Sequence, residues 1–126
     1  MNLPPLNVCL QVNVSGESSK SGCAPEDVVE LAAAMAALPR LVLRGLMAIP
    51  EPTDDPQLQA HRFGQVRELF LQARDGLRRR SASGETAPAA FDTLSMGMSA
   101  DLEAAIAGGA TIVRVGSALF GERQRI

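Results

Sequence analysis

Two short stretches carry the residue types best suited to chemistry, Ser95-Met-Gly-Met-Ser99 and Arg114-Val-Gly-Ser117. Each sets a glycine close to a serine. A glycine lets the backbone turn sharply and present its N–H groups, and a serine hydroxyl adds a rotatable donor beside them. Donors that converge in this way suit an oxyanion, a phosphate above all. The same residues also make ordinary turns, in which the glycines only relieve crowding and the serines only cap helices; motifs of this kind are weak alone. The choice turns on whether the chain brings the two turns side by side.

The flanking pattern predicts that it does. Phe91 to Met96 is a short, largely apolar run, too short for a helix and right for a buried strand. Gly97 permits a turn, Ser99 suits an N-cap, and Asp101 and Glu103 put negative charge where a helix dipole favours it. Leu102, Ala105 and Ile106 form a short apolar stripe, and Gly108-Gly109 supplies a left-handed stop. Ile112 to Val115 reads as the next strand, and Gly116-Ser117 opens a last turn into a short helical segment. A strand, a brief helical crossover and a second strand imply parallel pairing, so both turns leave from one edge of the sheet. In (β/α)8 barrels, a phosphate site is often built by the loops after the seventh and eighth strands.

The remaining chain repeats the alternation. Val8, Leu10, Val12 and Val14 share one face of a strand over Asn7 to Val14, while Gln11 and Asn13 fall on the other and, in a barrel, point into the lumen. Ser15 to Gly22 is a turn-rich loop holding Lys20, the only lysine. Pro25 suits a first helical position, and Val28, Leu31, Ala32, Met35 and Leu38 follow at helical spacing. Leu41 to Ile49 is a strand closed by Pro50. Phe63, Val66, Leu69, Phe70, Ala73 and Leu77 line one face of a longer helix, with His61 on its polar side and Arg78-Arg79-Arg80 as a solvated C-terminal cap. Strands near 7–14, 41–49, 91–97 and 112–116, alternating with helices, predict an α/β fold with four parallel strands in sequence order.

Composition narrows the function classes. At 126 residues the chain is one domain at most, about half of an ordinary ~250-residue (β/α)8 barrel. A net charge of −2 argues against a nucleic-acid partner, and no Trp or Tyr is present to stack on bases. No apolar run approaches the ~20 residues of a membrane span. Cys9, Cys23 and His61 form no metal-ligand pattern, and two separated cysteines fit a reducing, cytoplasmic setting.

The strings LNVCLQVNVS with ESSKSG, LRGLMAIP, LSMGMSAD and VRVGSALFG, taken together, resemble the fifth to eighth barrel strands and following loops of the pyridoxal phosphate homeostasis proteins, whose fold is similar to the barrel domain of alanine racemase. The resemblance covers nearly the whole chain. It implies a parallel (β/α) half-barrel over residues 1–126, equivalent to strands five to eight of a TIM-type barrel, that binds pyridoxal 5'-phosphate without catalysing a reaction. By the same resemblance, Ser99, Gly116 and Ser117 hold the cofactor phosphate, Gly97 and Met98 are also cofactor-binding, and Arg114 approaches the pyridine nitrogen. An arginine there weakens the ring as an electron sink. From the residues alone, Arg114 could instead pair with an acid such as Asp101 or Glu103, and Met47, Met96 and Met98 could simply pack. The family's cofactor lysine lies on the first barrel strand, to which nothing here corresponds. Two competing functions remain, an assembly module without cofactor and a racemase-like enzyme; one loop lysine and no tyrosine disfavour the enzyme. Unpaired edges at the first and fourth strands lead to the expectation of a homodimer or another barrel-completing chain.

Overall fold

A computed structural model of the chain describes residues 4–14, 22–51, 53–82, 91–98 and 101–114. The period-two pattern around Val8 and Leu10 forms β1 (Leu6–Gln11). A single 3-10 turn at Pro25–Asp27, entered through its proline, leads into α1 (Val28–Ala36). β2 (Leu41–Ala48), α2 (Pro56–Ala82), β3 (Thr93–Met96) and α3 (Leu102–Ala107) follow. The strands lie in the order β1-β2-β3, all parallel, as alternating strand and helix patterns require.

Register sorts the side chains into two faces. Cys9, Gly45 and Thr93 lie in one row, and Gln11, Met47 and Ser95 in the next. Val8 pairs with Leu43 but Cys9 with Gly45, so Arg44 is an extra residue on β2. This bulge shifts the burial phase by one, and Leu43, Leu46 and Ala48 all reach the same face. Gly45 is required at the bulge, because a Cβ there would overlap the Thr93 carbonyl. Arg44 itself turns to Asp92, its Nη2 donating to Oδ1 at 3.0 Å and to Oδ2 at 2.9 Å.

The core lies between the sheet and the helices. Val12, Leu43, Leu46, Ala48, Leu94 and Met96 are buried in one cluster with Val28 and Ala32 of α1 and with Phe63, Val66, Phe70, Ala73 and Leu77 of α2. Burying each large apolar side chain of this set contributes ~1.5–3 kcal/mol. α1 packs on α2 and α2 on α3. His61 is exposed, and Asp75 and Arg79 form a solvated i,i+4 pair at 2.8 Å near the end of α2. Among the described residues, no helix is long and apolar enough to cross a membrane.

One element differs from expectation. Among the described residues three parallel strands form, and residues 112–114 join the sheet only through a bridge between Ser95 and Ile112, with residues 115 and 116 of the expected strand outside the described residues. Side chains cut the ladder at both ends. Thr111 Oγ1 accepts the Leu94 N–H at 2.8 Å, the bond that residue 110 would accept in a longer ladder. At the other end, Asp101 Oδ1 accepts the Met98 N–H at 2.7 Å, which continued pairing would give to Arg114. The pairing that survives is Ile112 N–H to Leu94 C=O and Met96 N–H to Ile112 C=O, both 3.1 Å.

Candidate functional site at the carboxyl edge of the sheet

β3 ends at Met96 and the chain reverses at Gly97, which is buried and adopts φ +101°. That φ is open to glycine and costly for residues with a Cβ. A Cβ would also overlap the side chain of Ala105, so α3 packs directly over the turn. Met98 is 46% exposed; it does not pack in the core, unlike Met96. Its amide is held by Asp101, whose own N–H returns to the Met98 carbonyl at 3.2 Å. This reciprocal pair closes the turn before α3.

Asp101 therefore does something sequence reasoning did not assign to it. It was expected to interact with the helix dipole; instead it stands at the N-cap of α3 with no side-chain bond to the helix and its carboxylate folded back on Met98. The signal was present in the three-residue spacing, since an acidic side chain at this distance reaches back to a turn N–H in a capping box. Ser99, expected as the N-cap, lies outside the described residues, as do Gly116, Ser117 and Lys20. The stop after α3 is as expected, with Gly108 still helical at φ −78° and Gly109 at +101°.

Of the expected site residues, the structure brings Gly97 and Arg114 together. The Arg114 N–H donates to the Gly97 carbonyl at 2.9 Å, so the turn after β3 and the segment leading to Gly116 are tied backbone to backbone. The Arg114 side chain is exposed, and among the described residues it pairs with neither Asp101 nor Glu103. An exposed guanidinium with no carboxylate partner among the described residues, on a segment tied to a glycine turn, is suited to an anionic or electron-rich ligand group. Gln11, half-buried, shares a register row with Met47 and Ser95, opposite in phase to buried Val12.

Burial pushes the Cys9 and Cys23 thiols above their ordinary value, so both stay protonated near neutrality. The Asp92 carboxyl is held below its usual range by the Thr93 hydroxyl, which donates to it at 2.9 Å, and by the Arg44 guanidinium. No group of three or more His, Cys, Asp or Glu among the described residues could hold a metal ion.

Comparison with known proteins places these elements in context. A family model described as "Alanine racemase, N-terminal domain" matches residues 2–124. The pyridoxal phosphate homeostasis protein of Pseudomonas aeruginosa is 61% identical over 121 residues, which cover 96% of this chain and 46% of that protein. PipY of Synechococcus elongatus, solved with pyridoxal phosphate bound, is similar with a TM-score of 0.69 and 31% identity over 94% of this chain and 50% of PipY. Alanine racemase from Corynebacterium glutamicum shares the fold at 16% identity, with a TM-score of 0.64 over 99% of this chain and 32% of the enzyme. The chain thus spans about half the length of the curated relatives it matches.

Proposed function

We propose that this chain, which belongs to the alanine racemase N-terminal domain family, binds pyridoxal 5'-phosphate and serves the homeostasis of that cofactor without turning over a substrate. The observation that carries the reading is the backbone bond from Arg114 to Gly97, together with the Ser95–Ile112 bridge. These set the Gly97 turn and the approach to Gly116-Ser117 at one edge of the sheet. Ser99, Gly116 and Ser117 are assigned to the phosphate, Gly97 and Met98 to the shape of the turn, and Arg114 to the ring nitrogen. When bound, the cofactor supplies an aldehyde on an electron-poor ring, and an arginine at the nitrogen lessens that ring's capacity to store electrons. The names of the relatives and the cofactor-bound PipY support pyridoxal phosphate as the ligand and its homeostasis as the role.

The fold half of the proposal is that these strands are the fifth to eighth of a (β/α)8 barrel, with the Gln11-Met47-Ser95 face directed to its interior. Ile112, in register with Ser95 and 51% exposed, marks where that face needs a neighbour. A second copy of the chain or another barrel-completing chain would supply it, in the cytoplasm where the cofactor is used. Binding is measured by equilibrium dialysis with pyridoxal 5'-phosphate, with light scattering recording mass on the same samples. Gly116→Val should abolish binding by blocking backbone approach to the phosphate. Unchanged affinity in that variant would overturn the cradle, and a 13.3 kDa species that stays monomeric with and without cofactor would overturn the paired form.

A further inference from the structure

A cavity of about 160 Å³ lies between α2 and the start of β3, lined by Arg67 and Arg74 of α2 and by Asp92, Leu94, Gly109 and Thr111. It is at the opposite end of β3 from the Gly97 turn. Arg67 and Arg74 stand seven residues apart, two helical turns, so both project from one side of α2. Among the described residues neither has a carboxylate partner. The acid in the lining, Asp92, is already engaged by Arg44 through two hydrogen bonds from Nη2 and one from Nε at 3.2 Å. The cavity wall therefore carries excess positive charge.

Both cations are positioned there. The Arg74 guanidinium lies 5.6 Å from the centroid of Phe70, whose ring stacks on Phe91 at 4.8 Å. Arg67 lies against the backbone at Gly109, where a Cβ would overlap its Nη1, and where φ +101° also favours glycine. Thus the residue that ends α3 makes room for the guanidinium. Thr111 gives its hydroxyl to Leu94 and so serves as wall, not ligand.

We propose that this cavity is a second oxyanion site, separate from the turns after β3, in which Arg67 and Arg74 together take a small doubly charged group of the phosphate class. Two arginines lining one cavity of this size suit a tetrahedral oxyanion, and paired Arg contacts are a usual means of holding one. The test is a titration of the 15N-labelled chain with inorganic phosphate at low ionic strength, following the Gly109, Thr111 and Leu94 amides and the two arginine Nε–H signals. These signals should move together and saturate. Arg67→Gln, at an exposed position that leaves the core intact, should weaken the apparent affinity by roughly tenfold, and Arg67→Gln with Arg74→Gln should abolish the shifts. Gly116→Val, which removes the proposed cofactor cradle, should leave them in place. Signals that do not move, or that move alike in the wild type and both arginine variants, would overturn the site, as would their loss in Gly116→Val.

Discussion

Replacing Gly97 by alanine tests the most constrained point of the site. The native φ of +101° costs an L-residue ~1–2 kcal/mol. The new methyl would overlap the Ala105 side chain, which is fully buried, and overpacking of that kind costs ~1–3 kcal/mol. Together the variant should lose about 2–5 kcal/mol, a large share of the ~5–15 kcal/mol typical of a folded domain. Ala105→Gly separates the two contributions. Alone it costs about 1–2 kcal/mol through helix propensity and a lost methyl contact. Combined with Gly97→Ala it removes the overlap but not the φ strain, so the pair should fall short of additivity by ~1–3 kcal/mol. Urea unfolding followed by far-UV circular dichroism is the assay, since the chain has no Trp or Tyr for fluorescence. A Gly97→Ala loss under about 1 kcal/mol, or additivity within about 0.5 kcal/mol, would refute the packing of α3 over the turn.

Two further substitutions probe the side chains that organise β3. Asp92 has a folded-state pKa below its ordinary 3.8, so its contribution to stability is present above that value and is lost as pH falls through the lower folded one. Asp92→Asn should therefore show a flatter decline in urea midpoint than the wild type below about pH 4, and parallel curves would count against the Arg44 and Thr93 contacts. Asp101→Ala removes the acceptor of the Met98 N–H; it should cost ~1 kcal/mol and speed hydrogen exchange at Met98 relative to Met96. Unchanged exchange at Met98 would show that the carboxylate does not close the turn in solution.

Much of the architecture was legible because period and punctuation agree in this chain. The alternation through Val8, Leu10 and Val12 fixed β1, and the apolar stripe from Phe63 to Leu77 fixed α2. What could not be read was decided by hydrogen bonds between side chain and backbone. Arg44 sits in an otherwise apolar string, LVLRGLMAI, in which period two alone cannot reveal a bulge; the register with β1 and the approach of Thr93 to Gly45 do so. The fourth strand was expected from Ile112 to Gly116, and Thr111 and Asp101 reduce it to a bridge among the described residues by taking amides the ladder would use. Residue type gives Thr and Asp this capacity, but tertiary distance decides whether they use it. At the site, the pairing of Gly97 with Arg114 followed from parallel strands, whereas the engagement of Met98 by Asp101 did not.

That engagement constrains how a phosphate can be held at this edge. The Met98 N–H faces a carboxylate at 2.7 Å, so it is satisfied, and it is accompanied by a negative charge. A phosphate oxygen brought within ~4 Å of that carboxylate meets a repulsion of about 1 kcal/mol per pair of unit charges even at the dielectric of water, and more as water is excluded. Using the Met98 amide would require Asp101 to let go, exchanging one charged acceptor for another with little gain. In the proposed cradle the phosphate would instead draw on groups other than the Met98 amide, namely those of Ser99, Gly116 and Ser117. In that cradle Arg114, whose N–H donates to the Gly97 carbonyl, would bring a positive charge to the same edge. On this account Asp101→Ala, which deletes the repulsion and leaves Ser99, Gly116 and Ser117 intact, should strengthen cofactor binding severalfold even as it weakens the fold, and affinity that falls with stability would place Asp101 among the groups that build the cradle.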